Sequence, residues 1–352
     1  MSDYAFDLLC KQLAELAENQ QALWLVDENI TAADISRVRV RDNLLVMTNR
    51  YDLSQLLAER GFRVSLSDFN FSELSLSSLD KIYYRISKEK PIVHHLINQS
   101  GLYLVDGGEL CLAGFKNEGT KTYIDKAKKY LGEIAEKQRG SDSALLACIV
   151  KEEPLSATLD DQSYTQSIEI PIGNNSGQML LSKPGVYGWK KIDQGSAFLV
   201  EHLADFLQSL DTSPGNVLDL GCGFGYLSVL VAQQCDAVFT ATDNNISSVA
   251  LCEQNFQQHN IKGAAILDDC GASIQERFDL VLCNPPFHQG FDISGDLTTK
   301  FLAAAKRLLK PKGRALFVVN SFIPLEKKAK GIFASVELLA NNGSFKLLVL
   351  ER

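Results

Sequence analysis

The chain has no apolar run approaching the ~20 residues of a membrane span. Its opening stretch, Met1-Ser-Asp-Tyr-Ala-Phe-Asp7, lacks the basic start of a secretory signal. A cytoplasmic protein with no membrane partner is expected. Cysteines occur at 10, 111, 148, 222, 235, 252, 270 and 283, but none forms a Cys-x-x-Cys pair, and several fall inside strand-like or helical segments. That pattern reads as reduced thiols, with neither a disulfide framework nor a zinc site, and no metal is expected. Positive charge is also short. The formal net charge of −8 argues against a general nucleic-acid binder, because phosphate contacts need clustered Lys and Arg.

The charge is unevenly placed. Residues 1–170 carry about −7 and residues 171–352 about −1. Within the second half the bases come late, with Lys306, Arg307, Lys310, Lys312, Arg314, Lys327, Lys328 and Lys330 in one short stretch. This run reads either as a solvated helix end and loop or as a local phosphate-binding patch. At 352 residues the chain exceeds the size at which one core suffices, so two domains are expected.

In the first half, Ala22–Asp27 (ALWLVD), Leu44–Thr48, Asp80–Ile86, Leu102–Val105 and Ala144–Val150 read as strands. Helical spacing fills Asp3–Glu18, Leu53–Arg60, Pro91–Gln99 and Thr120–Glu136. Such alternation predicts an α/β domain with a parallel sheet. What this half lacks is a glycine-rich turn: ALWLVD runs into Glu-Asn-Ile-Thr, so backbone amides cannot approach a cofactor there. The polar stretch Lys151–Ser167 marks the boundary, giving expected domains of 1–160 and 161–352.

The second half supplies the missing turn. Asn216–Leu220 (NVLDL) is a buried strand followed at once by Gly221-Cys-Gly-Phe-Gly225 and a helical run. Glycines at 221, 223 and 225 permit a tight turn and a close backbone approach to a ligand. Asp219, before the loop, can accept from a ligand ammonium. Asp243, at the end of the next strand and about twenty residues on, stands where an acid binds a ribose diol. The nicotinamide fingerprint G-x-G-x-x-G is not met, because its third glycine position is Tyr226. A third strand, Ala264–Leu267, ends in Asp268-Asp269.

Phe278–Cys283 is the fourth strand, and it delivers Asn284-Pro-Pro-Phe287 to the carboxyl end of the sheet. Two prolines remove two donors and leave carbonyls that only accept. The Asn284 side-chain oxygen and the Pro285 carbonyl together suit a planar NH₂ group. Held at both hydrogens, such an amine presents its lone pair to an electrophile, so positioning supplies most of the catalysis. Phe287 offers an aromatic face for an unstacked base. His288 is assigned no role.

Asp-Leu-Gly-Cys-Gly-Phe-Gly resembles the loop of the class I methyltransferases, which implies S-adenosylmethionine as cofactor, with Asp269 at the adenine amino group. Asn-Pro-Pro-Phe is similar to the motif of enzymes that methylate adenine N6, guanine N2 or a protein glutamine, so it specifies an sp² amine and not the molecule. Other segments narrow the choice. Leu282–Gln289, Arg307–Gly313, Phe317–Pro324 and Asn341–Leu348 resemble the bacterial ribosomal RNA guanine-N2 methyltransferases. So do Leu181–Tyr187 and Ile192-Asp-Gln-Gly-Ser196, which in that family lead into the cofactor site and put Asp193 and Ser196 among its contacts.

The resemblance implies two tandem class I methyltransferase-like (Rossmann-like) domains, the first without a cofactor loop and serving to position RNA or support the second. Asp80–Arg85 and Lys88–Pro91 fit its pattern. The implied activity is methylation of guanine N2 in 16S ribosomal RNA (the RsmC type), with the RlmG type acting on 23S rRNA and N5-glutamine methylation of a protein as alternatives. The partner implied is ribosomal RNA in the small subunit or its assembly intermediate. One departure is Tyr187-Gly-Trp-Lys-Lys-Ile-Asp193, in place of the family's Phe-Ser-x-x-x-Leu-Asp approach to the cofactor helix.

Overall fold

A computed structural model describes residues 3–172, 177–286, 288–289, 292–293 and 295–352. The chain divides into two compact units, Met1–Thr165 and Gln166–Arg352. The first holds β1 (Ala22–Val26), β2 (Leu44–Thr48), β3 (Arg63–Leu66), β4 (Leu79–Arg85), β5 (Leu104–Phe115), β6 (Ile134–Arg139) and β7 (Ala144–Val150). They form one sheet in the order β3-β2-β1-β4-β5-β7-β6. β1 to β5 run parallel, while β7 pairs antiparallel with both β5 and β6.

The second unit opens with an antiparallel pair, β8 (Ile168–Pro171) and β9 (Met179–Ser182). It continues with β10 (Asn216–Leu220), β11 (Val238–Asp243), β12 (Gly263–Leu267) and β13 (Phe278–Cys283), then the small pair β14 (His288–Gln289) and β15 (Asp292–Ile293). β16 (Leu309–Asn320), β17 (Ser335–Asn341) and β18 (Phe345–Glu351) complete it. Its main sheet has the order β12-β11-β10-β13-β16-β18-β17, which repeats the first unit strand for strand. The expected tandem α/β architecture is therefore the one observed. Leu218, Val281 and Phe317 face one apolar cluster, and Val217, Leu280 and Leu316 face another. Burial on both faces is what a helix-covered parallel sheet requires. Among the described residues no helix is long and apolar enough to cross a membrane.

The reading of eight reduced thiols needs correction. Antiparallel pairing of β5 with β7 sets Cys111 opposite Cys148, and the two are joined as a disulfide, both fully buried. The partners lie 37 residues apart, so no spacing rule could have paired them. Glu109, Cys111 and Cys148 are also the one group of potential metal ligands drawn together among the described residues, but the bonded sulfurs offer no thiolate.

In the first unit, the strand ends that might have received a ligand are filled by the chain itself. Tyr164 is buried, donates its hydroxyl to Asp68 beyond β3 at 2.7 Å, and stacks on His95 with ring centroids 4.5 Å apart. Burial, then Asp68, pushes its phenol well up, and Arg50 and Asp27 beyond β2 and β1 also act on it. Leu159 is clasped through its backbone by Asn98, accepting at 2.9 Å and donating at 2.8 Å, and Asp160 O lies 2.5 Å from His94 Nδ1. Part of the stretch read as a linker is thus a docked segment of the unit. β4 ends in Arg85-Ile86-Ser87 where β13 ends in Cys283-Asn284-Pro285. Arg85 is itself buried and ion-paired with Asp3 and Glu118 at 2.9 and 2.6 Å.

Candidate active site

Strand order reverses between β10 and β13, and ligands of open α/β sheets sit at such a switch point, beyond the strands' carboxyl ends. The glycine loop leaves β10 there and Asn284 leaves β13, in adjacent paired strands. Gly221, Gly223 and Gly225 all have positive φ, at 81°, 54° and 87°. At Gly225 a Cβ would stand 2.8 Å from Cys252 Sγ, so the loop and the helix Ile246–Gln258 touch only because that atom is missing. At Gly223 a Cβ would meet nothing within 4 Å. One glycine serves packing; the other leaves open space over the loop backbone.

The carboxylates differ in what they hold. Asp219 is buried, and its Oδ2 accepts from Ser228 N and Oγ at 3.1 and 2.7 Å. Burial pushes its carboxyl up to about 6, against those two hydrogen bonds. Asp243 Oδ2 accepts from Gly223 N at 3.0 Å, and Oδ1 from Asn245 N at 2.9 Å, so it ties the loop to the end of β11. Asp268 is the structural member of its pair, accepting from Ser273 N and Oγ at 2.8 Å each. Asp269 is more exposed and bonds Lys300 Nζ at 2.5 Å through both oxygens. Ser228 was missed by sequence reasoning, although a lone serine in the apolar helix Tyr226–Ala232 was a readable signal.

Asp193 and Ser196, expected among the cofactor contacts, are both bonded to Asn284. Asn284 Nδ2 donates to Asp193 Oδ2 at 2.8 Å and to Ser196 Oγ at 2.9 Å. Asp193 also caps the helix Gln194–Glu201 by accepting from Ser196 N at 2.9 Å, and it accepts from the Tyr187 hydroxyl at 2.9 Å. Both amide hydrogens of Asn284 are thereby used. Its Oδ1 and the Pro285 carbonyl accept no hydrogen bond from the described residues, leaving the two acceptors that a planar amine requires. Phe287 lies outside the described residues.

The late basic run does not form one patch. Arg307 donates to Gly271 O and Ile274 O, Lys310 pairs with Asp279 at 3.0 Å, Arg314 pairs with Glu351, and Lys306 lies over the Phe333 ring. Lys310 to Arg314 open β16, which runs parallel to β13, so they sit at the end of the sheet opposite Asn284. Lys327 and Lys328 belong to the helix Leu325–Ala329, which follows β16's carboxyl end.

The doubly wound sheet, the glycine loop and the acceptor pair define a methyltransferase domain. Residues 177–349 match the family model described as "Methyltransferase small domain". The second unit carries a domain of that family, and over three quarters of its length the chain is similar to RsmC-type enzymes. It is 26% identical over 274 residues to the Ribosomal RNA small subunit methyltransferase C of Shewanella loihica, covering 78% of this chain and 77% of the relative. The protein of the same description from Haemophilus influenzae is 26% identical over 282 residues, covering 80% and 82%. Among solved structures, the T. Thermophilus 16S rRNA N2 methyltransferase RsmC, in complex with AdoMet and guanosine, superposes with a TM-score of 0.81. That match is 23% identical and covers 99% of this chain and 91% of the other.

Proposed function

We propose that this chain transfers the methyl group of S-adenosylmethionine to the exocyclic N2 amine of a guanine in 16S ribosomal RNA, presented by an assembled or partly assembled small subunit in the cytoplasm. The observation that carries the reading is the Asn284 amide beside the Pro285 carbonyl at the end of β13, next to the strand that leads into the glycine loop. The relatives, small-subunit enzymes over three quarters of the chain, favour this substrate over 23S rRNA or a protein glutamine.

S-adenosylmethionine supplies an activated methyl group on a sulfonium, so the chain's task is binding and orientation. The open face of Gly223 fits a ligand lying on the loop backbone, with Gly221 and Gly225 shaping the turn. Asp219 is assigned the ligand ammonium, Asp243 the ribose diol and Asp269 the adenine amino group, exchanging Lys300 for it. Asn284 Oδ1 and Pro285 O accept the two hydrogens of the guanine amine, and Phe287 stacks the base. After transfer the excess proton leaves to water.

Incubating the protein and methyl-labelled S-adenosylmethionine with 30S subunits, 50S subunits, free 16S rRNA and release-factor protein tests the reading. Label should enter N2-methylguanosine of 16S rRNA. Label confined to protein or to 23S rRNA sinks it.

A pH dependence follows from Asp219. Its carboxyl titrates at about 6 in the free protein, and only the ionised form attracts the ammonium. Affinity should therefore be full from about one unit above pH 6, about half at pH 6, and about tenfold below its plateau at pH 5. Calorimetric titrations between pH 5 and 7.5 check this. A flat profile rules out Asp219 as the ammonium partner.

A further inference from the structure

We infer that Asp193 is a positioning residue which fixes the end of the Asn284 amide that meets the substrate amine. This rests on the role given to Asn284 above and goes beyond it.

An asparagine amide carries a donor end and an acceptor end of nearly equal size, and half a turn about its last bond exchanges them. Turned the wrong way, Asn284 would set N–H against the hydrogens of an incoming NH₂, and the two would repel. Something must hold the oxygen outward. Ser196 cannot do so alone, because a hydroxyl donates or accepts and serves either orientation. A carboxylate only accepts. Asp193 Oδ2, 2.8 Å from Asn284 Nδ2, bonds the donor end and repels the oxygen, so one orientation survives.

Asp193 is itself immobilised. Ser196 N holds its Oδ2 at 2.9 Å and the Tyr187 hydroxyl holds its Oδ1 at 2.9 Å. Tyr187, at the departure from the family's usual approach sequence, is thus the outer end of a chain of hydrogen bonds running through Asp193 to Asn284. Capping the helix Gln194–Glu201 does not demand this residue, since Asn, Ser or Thr would cap about as well. The negative charge is what the Asn284 amide uses.

Asp193→Ser separates the two roles: its hydroxyl can still cap the helix, but no carboxylate reaches Asn284, and Ser196 alone serves either orientation of that amide. Its turnover on 30S subunits should fall about 10- to 100-fold, with the KM for the subunit and the Kd for S-adenosylmethionine within about twofold of wild type, and a melting temperature within about 4 °C of it. Turnover within twofold of wild type overturns the inference. A second readout does not depend on methylation. In protein labelled with ¹⁵N-asparagine, the Asn284 side-chain NH₂ signal, assigned by its loss in Asn284→Ala, should exchange slowly with water. Asp193→Ala should speed that exchange at least about tenfold, and unchanged exchange also overturns the inference. If wild type methylates no RNA yet this protection is present and lost in the variant, the substrate reading fails and the positioning role stands.

Discussion

Asn284→Ala lowers kcat for methyl transfer by about 10²- to 10³-fold, the range for removing one preorganised group that meets the transition state. S-adenosylmethionine binding should change less than twofold, because the hydrogen bonds of Asn284 run to Asp193 and Ser196 and none runs to the glycine loop. Truncation leaves the substrate amine with the Pro285 carbonyl as its one fixed acceptor, so the nitrogen lone pair is no longer aimed. Fold stability should drop modestly: Asn284 is half-buried, and its partner Asp193 keeps two other hydrogen bonds. The comparison to make is turnover with 30S subunits against calorimetric cofactor affinity, measured on the same preparations. A parallel loss of both would mean that Asn284 shapes the cofactor site and does not hold the amine.

The second half was more legible than the first, for physical reasons. β10 and β13 are short, apolar and buried, so Asn216–Leu220 and Phe278–Cys283 were placed to the residue. Edge strands hide. β6 alternates half-buried and exposed residues with charged side chains (IAEKQR), and the helical reading of Thr120–Glu136 ran over its start. β3 (RVSL) has no fully buried residue and went unread. At the site, the acids and glycines announced themselves by their place at strand ends. Their partners did not, because the bond from Asn284 to Asp193 spans 91 residues and that from Ser228 to Asp219 depends on how a helix turns. Sequence resemblance put Asp193 and Ser196 near the cofactor, and only geometry ties them to the amide. The same limit explains the basic run, whose members are neighbours in sequence but point to different partners on both ends of β16.

Tyr164→Ala should destabilise the first unit by about 3–5 kcal/mol, the cost of truncating a large buried aromatic. The ring is buried in the cluster that holds Leu25, Phe69, Tyr84 and Ile97, and the change also takes the hydroxyl from Asp68. Tyr164→Phe keeps the ring and should cost about 1 kcal/mol. The two tryptophans make the measurement local. Trp24 lies in the core of the first unit, so in a Trp189→Phe background its fluorescence reports unfolding of that unit in urea. Calorimetry on the same variant asks a second question. With Tyr164 gone, a hollow opens at the ends of β1 and β3, yet cofactor stoichiometry should remain one per chain. The turn after β1 is Asp27-Glu-Asn-Ile30, where no glycine lets backbone amides approach a ligand. A stability loss under 1 kcal/mol would show that the docked segment is not what fills the sheet end. A second bound cofactor would show that Tyr164, and not the missing glycine loop, keeps that unit empty.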